Sequence, residues 1–164
     1  MEKYVWEFTN QRKLTKKEFI HYFEKKLYKT IRKYQLLPEN KTFLIKEDER
    51  INTIILKQIL SKKFKVINSN KPNTSTDNLS DIAEKTFENI LQGNFTGPKP
   101  KEKNLIYPLY FHSDKEIEVY SKINNIIGKK SKRNKQVQDL FNKFIKKNPD
   151  LEINVIKALM QISN

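Results

Sequence analysis

The chain has no cysteine among its 164 residues. That absence excludes a disulfide framework, a thiolate zinc centre, an iron–sulfur cluster and a cysteine nucleophile. No apolar run approaches the roughly eighteen residues that would span a bilayer, so no transmembrane helix is expected. Residues 1–14 hold Glu2, Lys3, Glu7, Arg12 and Lys13 with no apolar stretch between them, so no secretory signal is visible. Histidine is scarce too, with His21 and His112 far apart, and neither a histidine-based metal site nor a catalytic base follows from them. Spacing supports no Ser-His-Asp triad and no carboxylate pair. Glu47, Asp48 and Glu49 are adjacent acids that suit a solvated helix start better than a Mg²⁺ site. A soluble, cytoplasmic protein with no cofactor, no metal and no membrane partner is the expectation.

What is present is positive charge and aromatic mass. Lys and Arg number 33 against 19 Asp and Glu, a formal charge of +14. Ten Phe and seven Tyr supply core volume despite a hydrophobic fraction of only 37%. Such a charge suits a polyanion, nucleic acid first among them, although a lysine-rich surface can also serve solubility alone.

Periodicity orders the chain. Tyr4 to Phe8 alternates as a short strand. Thr15 to Leu36 reads as a helix, with Thr15 and Glu18 as a capping box and Phe19, Phe23, Leu27 and Ile31 every fourth residue. Thr42 to Ile45 reads as a strand buried on both faces, as in a parallel sheet. A helix from Glu49 to Lys62, a strand from Phe64 to Ile67 and a polar loop from Asn68 to Thr76 follow. The next helix carries Leu79, Ile82, Ala83, Phe87, Ile90 and Leu91, with Asp77 or Ser80 to cap it and Gly93 just past its end. Leu105 to Phe111 is a third strand candidate interrupted by Pro108. Ser113 and Glu116 open a helix that runs to Ile127, with Gly128 at its end. Two helices close the chain, one stopping at Pro149 and one over Glu152 to Ile162. The expected fold is α/β, a parallel sheet of three or four strands covered by helices, with a helical C-terminal tail.

Four segments in this order resemble the tRNA 2-thiouridine synthetases, the PP-loop ATP-pyrophosphatase enzymes that place sulfur on uridine. The Lys13–Leu37 segment is similar to the family's opening helix, and Thr30, Ile31, Arg32, Lys33 and Tyr34 stand as the family has them. Thr76–Asn94 resembles its Gly-His-Asn-x-Asp-Asp-x-Ala-Glu helix, agreeing at Asn78, Asp81, Ala83, Glu84, Asn89, Leu91 and Gly93. Tyr107–Asn124 agrees with a third motif at Pro108, Lys115, Glu116, Ile117 and Tyr120. Ser131–Leu159 resembles the helix pair that follows. The resemblance implies one domain over 1–164: an N-terminal basic segment (1–38), a reduced core like the adenine nucleotide alpha hydrolases (39–128) and a basic helical region (129–164).

The departures bear on activity. The family's phosphate loop is Ser-Gly-Gly-Lys-Asp-Ser, whose glycines let backbone amides approach pyrophosphate. Here the corresponding stretch is Ile45–Thr53 (IKEDERINT), without glycine and with three acids. The Gly-His of the second motif is Thr76-Asp77, its first Asp is Ser80, and the opening-helix cysteine corresponds to Thr15. A strand–helix–strand block carrying a catalytic cysteine is expected to be missing between Phe64 and Thr76.

The resemblance therefore implies a relative with no catalytic residues. Lys46, Asp48, Asn78 and Asp81 would be remnants of a nucleotide pocket. RNA would meet Lys25, Lys26, Lys29, Arg32 and Lys33 on one helix and Lys129, Lys130, Lys132, Arg133 and Lys135 at the start of another, with Tyr22, Tyr28 or Trp6 to stack on bases. The partners to expect are tRNA or another RNA, an active tRNA thiolase subunit, or a second copy in a homodimer. A protein-interaction module without an RNA role is the alternative, and a residual ATP-dependent enzyme a third reading that IKEDERINT opposes.

Overall fold

The structure, a computed structural model, describes residues 3–162. It opens on a hairpin in which β1 (Tyr4–Glu7) pairs antiparallel with β2 (Lys13–Thr15). Thr15 then caps α1 (Lys16–Lys33) with the expected box: the Glu18 amide donates to Thr15 Oγ1 and the Thr15 amide donates to Glu18 Oε2, 2.8 Å away. Phe19, Phe23, Leu27 and Ile31 are buried on one stripe, as their spacing requires.

β3 (Thr42–Ile45), α2 (Ile51–Leu60) and β4 (Lys65–Asn68) form a β–α–β unit whose strands pair in parallel, Thr42 opposite Lys65 and Ile45 opposite Asn68. The expected sheet of three or four strands reduces to this pair among the described residues. Beyond β3 it continues only as single parallel bridges, Ile45 to Thr74 and Thr74 to Ile106. Two features explain the loss. Asn73 takes a strand's place with its side chain, accepting from the Leu44 amide at 2.8 Å and donating to the Thr42 carbonyl at 3.1 Å. Past Ile106 the chain turns at once, with Tyr110 N donating to Tyr107 O and His112 N to Leu109 O, and Pro108 has no amide to extend a ladder.

The second half is helical: α3 (Leu79–Leu91), α4 (Asp114–Ile123), α5 (Lys135–Lys147) and α6 (Leu151–Ile162). The cap of α3 is neither Asp77 nor Ser80 but Asn78, boxed with Asp81. Gly93 takes a left-handed φ of 84° just past its end. α4 has the expected Ser113–Glu116 box but ends at Ile123 rather than Ile127. Asn125, at φ 53°, makes the left-handed turn assigned to Gly128. Gly128 instead permits close approach, since a Cβ there would lie 2.9 Å from the Glu49 carbonyl oxygen.

Two apolar clusters result. One joins α1, β3, α2 and α4 around Phe19, Phe23, Leu27, Phe43 and Leu56. The other joins α3, α5 and α6 through Ile82, Ala83, Phe141 and Ile156, with Tyr107 and Tyr110. No helix among the described residues is long and apolar enough to cross a membrane.

Candidate functional site

The resemblance puts the phosphate loop between β3 and α2. A working loop offers free backbone amides to an anion. Here two of those donors are engaged. The Arg50 amide donates to Asp48 Oδ1 at 3.0 Å, and the Ile51 amide donates to the Lys129 carbonyl at 3.0 Å. The guanidinium of Arg50 lies across the same ground. It donates through Nε to Asp48 Oδ2 at 3.1 Å, through Nη1 to Asp77 Oδ1 at 3.3 Å and through Nη2 to Thr76 Oγ1 at 2.5 Å. Burial pushes the Asp48 carboxyl up, but hydrogen bonds from Thr53 and Arg50 outweigh it and hold the group below its ordinary range.

A second arginine sits beside the first. Arg133, placed at the surface by the sequence, is folded in with its side chain only 10% exposed. Its Nε donates to Asp81 Oδ1 at 2.8 Å, Nη1 to Glu84 Oε1 at 3.2 Å and to Asp114 Oδ2 at 2.7 Å, and Nη2 to Asp114 Oδ1 at 2.8 Å. Asn52 joins the two groups, donating through Nδ2 to the Thr76 carbonyl at 3.1 Å and to Asp81 Oδ2 at 3.3 Å. Burial raises Asp81, with Arg133 opposing it. Burial pushes Glu84 up to about 7, with Asp114 adding to the rise and Arg133 opposing it. Glu84 Oε2 is buried with no hydrogen-bond partner among the described residues.

Three of the four expected pocket residues therefore meet: Asp48 on Arg50, Asp81 on Arg133, and Asn78 through Nδ2 to Asp114 Oδ1 at 2.8 Å. Lys46 lies outside, exposed on the loop. Arg50, Thr76, Asp77 and Asp114 are the members that sequence reading missed. Their partners are 26 residues away (Arg50 to Thr76), 27 (Arg50 to Asp77) and 19 (Asp114 to Arg133), separations that no local spacing rule reads.

The basic surface divides. Lys25, Lys29, Arg32 and Lys33 are exposed on α1, and Lys130, Lys132 and Lys135 near the start of α5. None of these makes an ion pair among the described residues. Lys129 pairs with Glu49 where both side chains are three-quarters exposed, 76% and 75%, an arrangement that contributes little energy. Lys26 is a correction: its Nζ donates to both oxygens of buried Glu116 at 2.9 Å and to Tyr22 OH at 3.3 Å. It faces inward because Glu116, capping α4, needs a cation. Arg133 is the second correction, for the same reason. Tyr28 is tied down through its OH to the Ile59 carbonyl at 2.8 Å, so it is no free stacking platform. His112 is fully buried, its Nε2 against the Phe23 carbonyl at 3.0 Å, and burial holds its pKa down at about 4. It is a neutral core residue.

No family model matches the sequence, and no curated protein matches it. A solved structure does: the U34-tRNA thiolase NcsA from Methanococcus maripaludis with its [4Fe-4S] cluster. It superposes with a TM-score of 0.73 over 93% of this chain and 81% of its own, at 12% sequence identity. An iron–sulfur cluster is held by thiolates. This chain has none, and no group of three or more His, Asp or Glu among the described residues is placed to hold a metal ion. The residues present do not fit that cluster. Resemblance of four segments and superposition over nearly the whole chain agree on one point: this protein has the fold of a PP-loop tRNA thiolase.

Proposed function

We propose that the chain is a non-catalytic relative of the tRNA thiolases that binds tRNA, alone or as the accessory subunit of an active 2-thiouridine synthetase. The observation that carries this reading is the Arg50 guanidinium lying where the resemblance would put the phosphate loop, with the Arg50 and Ile51 amides already bonded. A nucleotide would have to displace the Arg50 guanidinium from three side-chain partners and then face Asp48 and Asp77. The lack of cysteine points the same way, since no thiolate is available to carry sulfur or a cluster. What the fold retains is a thiolase frame with unpaired cations on α1 and ahead of α5.

An accessory role draws support from α5, whose Leu140 and Phe144 are 38% and 47% exposed beside Lys143, Lys146 and Lys147. Apolar side chains left in water on an amphipathic helix suit a protein partner.

The test is a gel shift of unmodified tRNA at low and high salt, for wild type and for a variant with Lys129, Lys130, Lys132 and Lys135 changed to Ala. Arg133 stays in place because it is part of the fold. Binding at low salt that weakens in the variant is the expected result. No shift at low salt would overturn the RNA reading.

A further inference from the structure

A cleft of about 930 Å³ separates the hairpin and α1 from α6. It is distinct from the two-arginine network, since neither Arg50 nor Arg133 lines it. Its floor is apolar and aromatic, formed by Trp6, Phe8, Tyr34, Phe111, Ile153 and Met160. Tyr34 and Phe111 already stack, ring centroids 5.5 Å apart at 28°. Lysines stand on opposite walls: Lys29 and Lys33 from α1, Lys115 from α4 and Lys157 from α6. None of the four makes an ion pair among the described residues, though two lie over rings of the floor: Lys33 Nζ is 5.4 Å from the Tyr34 centroid and Lys115 Nζ 5.3 Å from that of Trp6. Most of the carboxylates that face the cleft are committed elsewhere. Glu116 holds Lys26 at 2.9 Å, Glu7 faces Lys13 at 3.9 Å, and Glu152 accepts a hydrogen bond from Ser80.

Apolar and aromatic surface between ammonium groups that have no carboxylate partner among the described residues matches a strand that alternates bases with phosphates. A duplex keeps its bases paired inward and has none to lay on Tyr34 or Phe111. A volume in this range accommodates a ligand of small-molecule size or larger, enough for a few nucleotides. We propose that the cleft holds an unpaired stretch of RNA, bases against the Tyr34–Phe111 pair and phosphates on Lys29, Lys33, Lys115 and Lys157. The inference rests on the RNA-binding reading above and names where single-stranded RNA would sit.

The chain supplies its own reporter, because Trp6 is its one tryptophan and lines the cleft. The experiment titrates the full chain with a labelled single-stranded RNA of about ten nucleotides, and with the same strand annealed to its complement. Label anisotropy reads total binding and Trp6 emission reads the cleft. The expected result is a Trp6 change with the single strand, at the same midpoint as the anisotropy, and little with the duplex. Lys29→Glu with Lys157→Glu, exposed and on facing walls, should weaken single-strand binding by about tenfold or more, consistent with loss of phosphate contacts, while far-ultraviolet circular dichroism stays unchanged. Anisotropy binding with unchanged Trp6 emission, equal emission changes with duplex, or unaltered affinity in the variant would overturn the cleft and leave the tRNA reading standing. No anisotropy change with this RNA or with tRNA would overturn both.

Discussion

Arg133 has three carboxylates around it, and Asp81 and Glu84 would be left buried without a cation if it were removed. A buried pair is weak evidence of net stabilisation, but breaking one is costly. Arg133→Met is expected to lower urea-unfolding stability by about 3–5 kcal/mol, whereas exposed Lys132→Met should stay within about 0.5 kcal/mol. A small effect at Arg133 would contradict its inward role. Two of the shifted groups pull the pH response in opposite directions. Glu84 is raised to about 7, so its contribution is full below its unfolded value and is lost as pH rises towards 7. His112 is depressed to about 4, so its contribution is full above its unfolded value and is lost as pH falls through that range. Between roughly pH 4.5 and 6.5 the two oppose each other. Glu84→Gln should expose the histidine, making stability climb more steeply from pH 4 to 6.5 than in wild type; an unchanged urea-midpoint slope would contradict the assignment. None of this was legible in the sequence. Asp81 and Arg133 are 52 residues apart, and a positive run such as KKSKRNK reads as surface until one member is seen folding inward.

At the scale of elements, the local rules worked where the chemistry is local. The Thr15–Glu18 and Ser113–Glu116 boxes close within four residues, so spacing alone finds them. The capping rule alone does not single out Asn78, because Asp77 and Ser80 flank it and all three residue types can cap. The missing strands were illegible for another reason: an asparagine side chain can satisfy a strand's backbone groups without forming a strand. The contact between α3 and α6 depends on a glycine that no periodicity flags. At Gly97 a Cβ would lie 2.2 Å from Thr86 Oγ1 and 2.9 Å from Leu159 Cδ2. Gly97→Ala is expected to lower the thermal midpoint, by the equivalent of about 1–3 kcal/mol for overpacking. Thr86→Ala in the same chain should restore part of the loss. Thr86 Oγ1 is buried without a hydrogen-bond partner among the described residues, so Thr86→Ala alone should be near neutral. A larger loss in the double variant than in Gly97→Ala would contradict this packing.

At the scale of the whole molecule, a formal charge of +14 is more than the folded network consumes. Arg50, Arg133 and Lys26 are turned inward to carboxylates, while seven of the ten cations expected to meet RNA remain exposed, without an ion pair among the described residues, on α1 and ahead of α5. The fold thus keeps its positive groups in two populations, one bonded to carboxylates within the fold and one facing solvent. The second population is the one proposed to meet RNA backbone. The direct measurement is the slope of log affinity for tRNA against log salt, in wild type and in the Lys129, Lys130, Lys132 and Lys135 to Ala variant. Each phosphate neutralised contributes a slope of about −0.7 on a single strand to about −0.9 on B-DNA. A steep wild-type slope that becomes shallower by about 2 to 4 in the variant, with the fold unchanged, is the expected result. A salt-independent affinity, or one slope shared by both proteins, would contradict it.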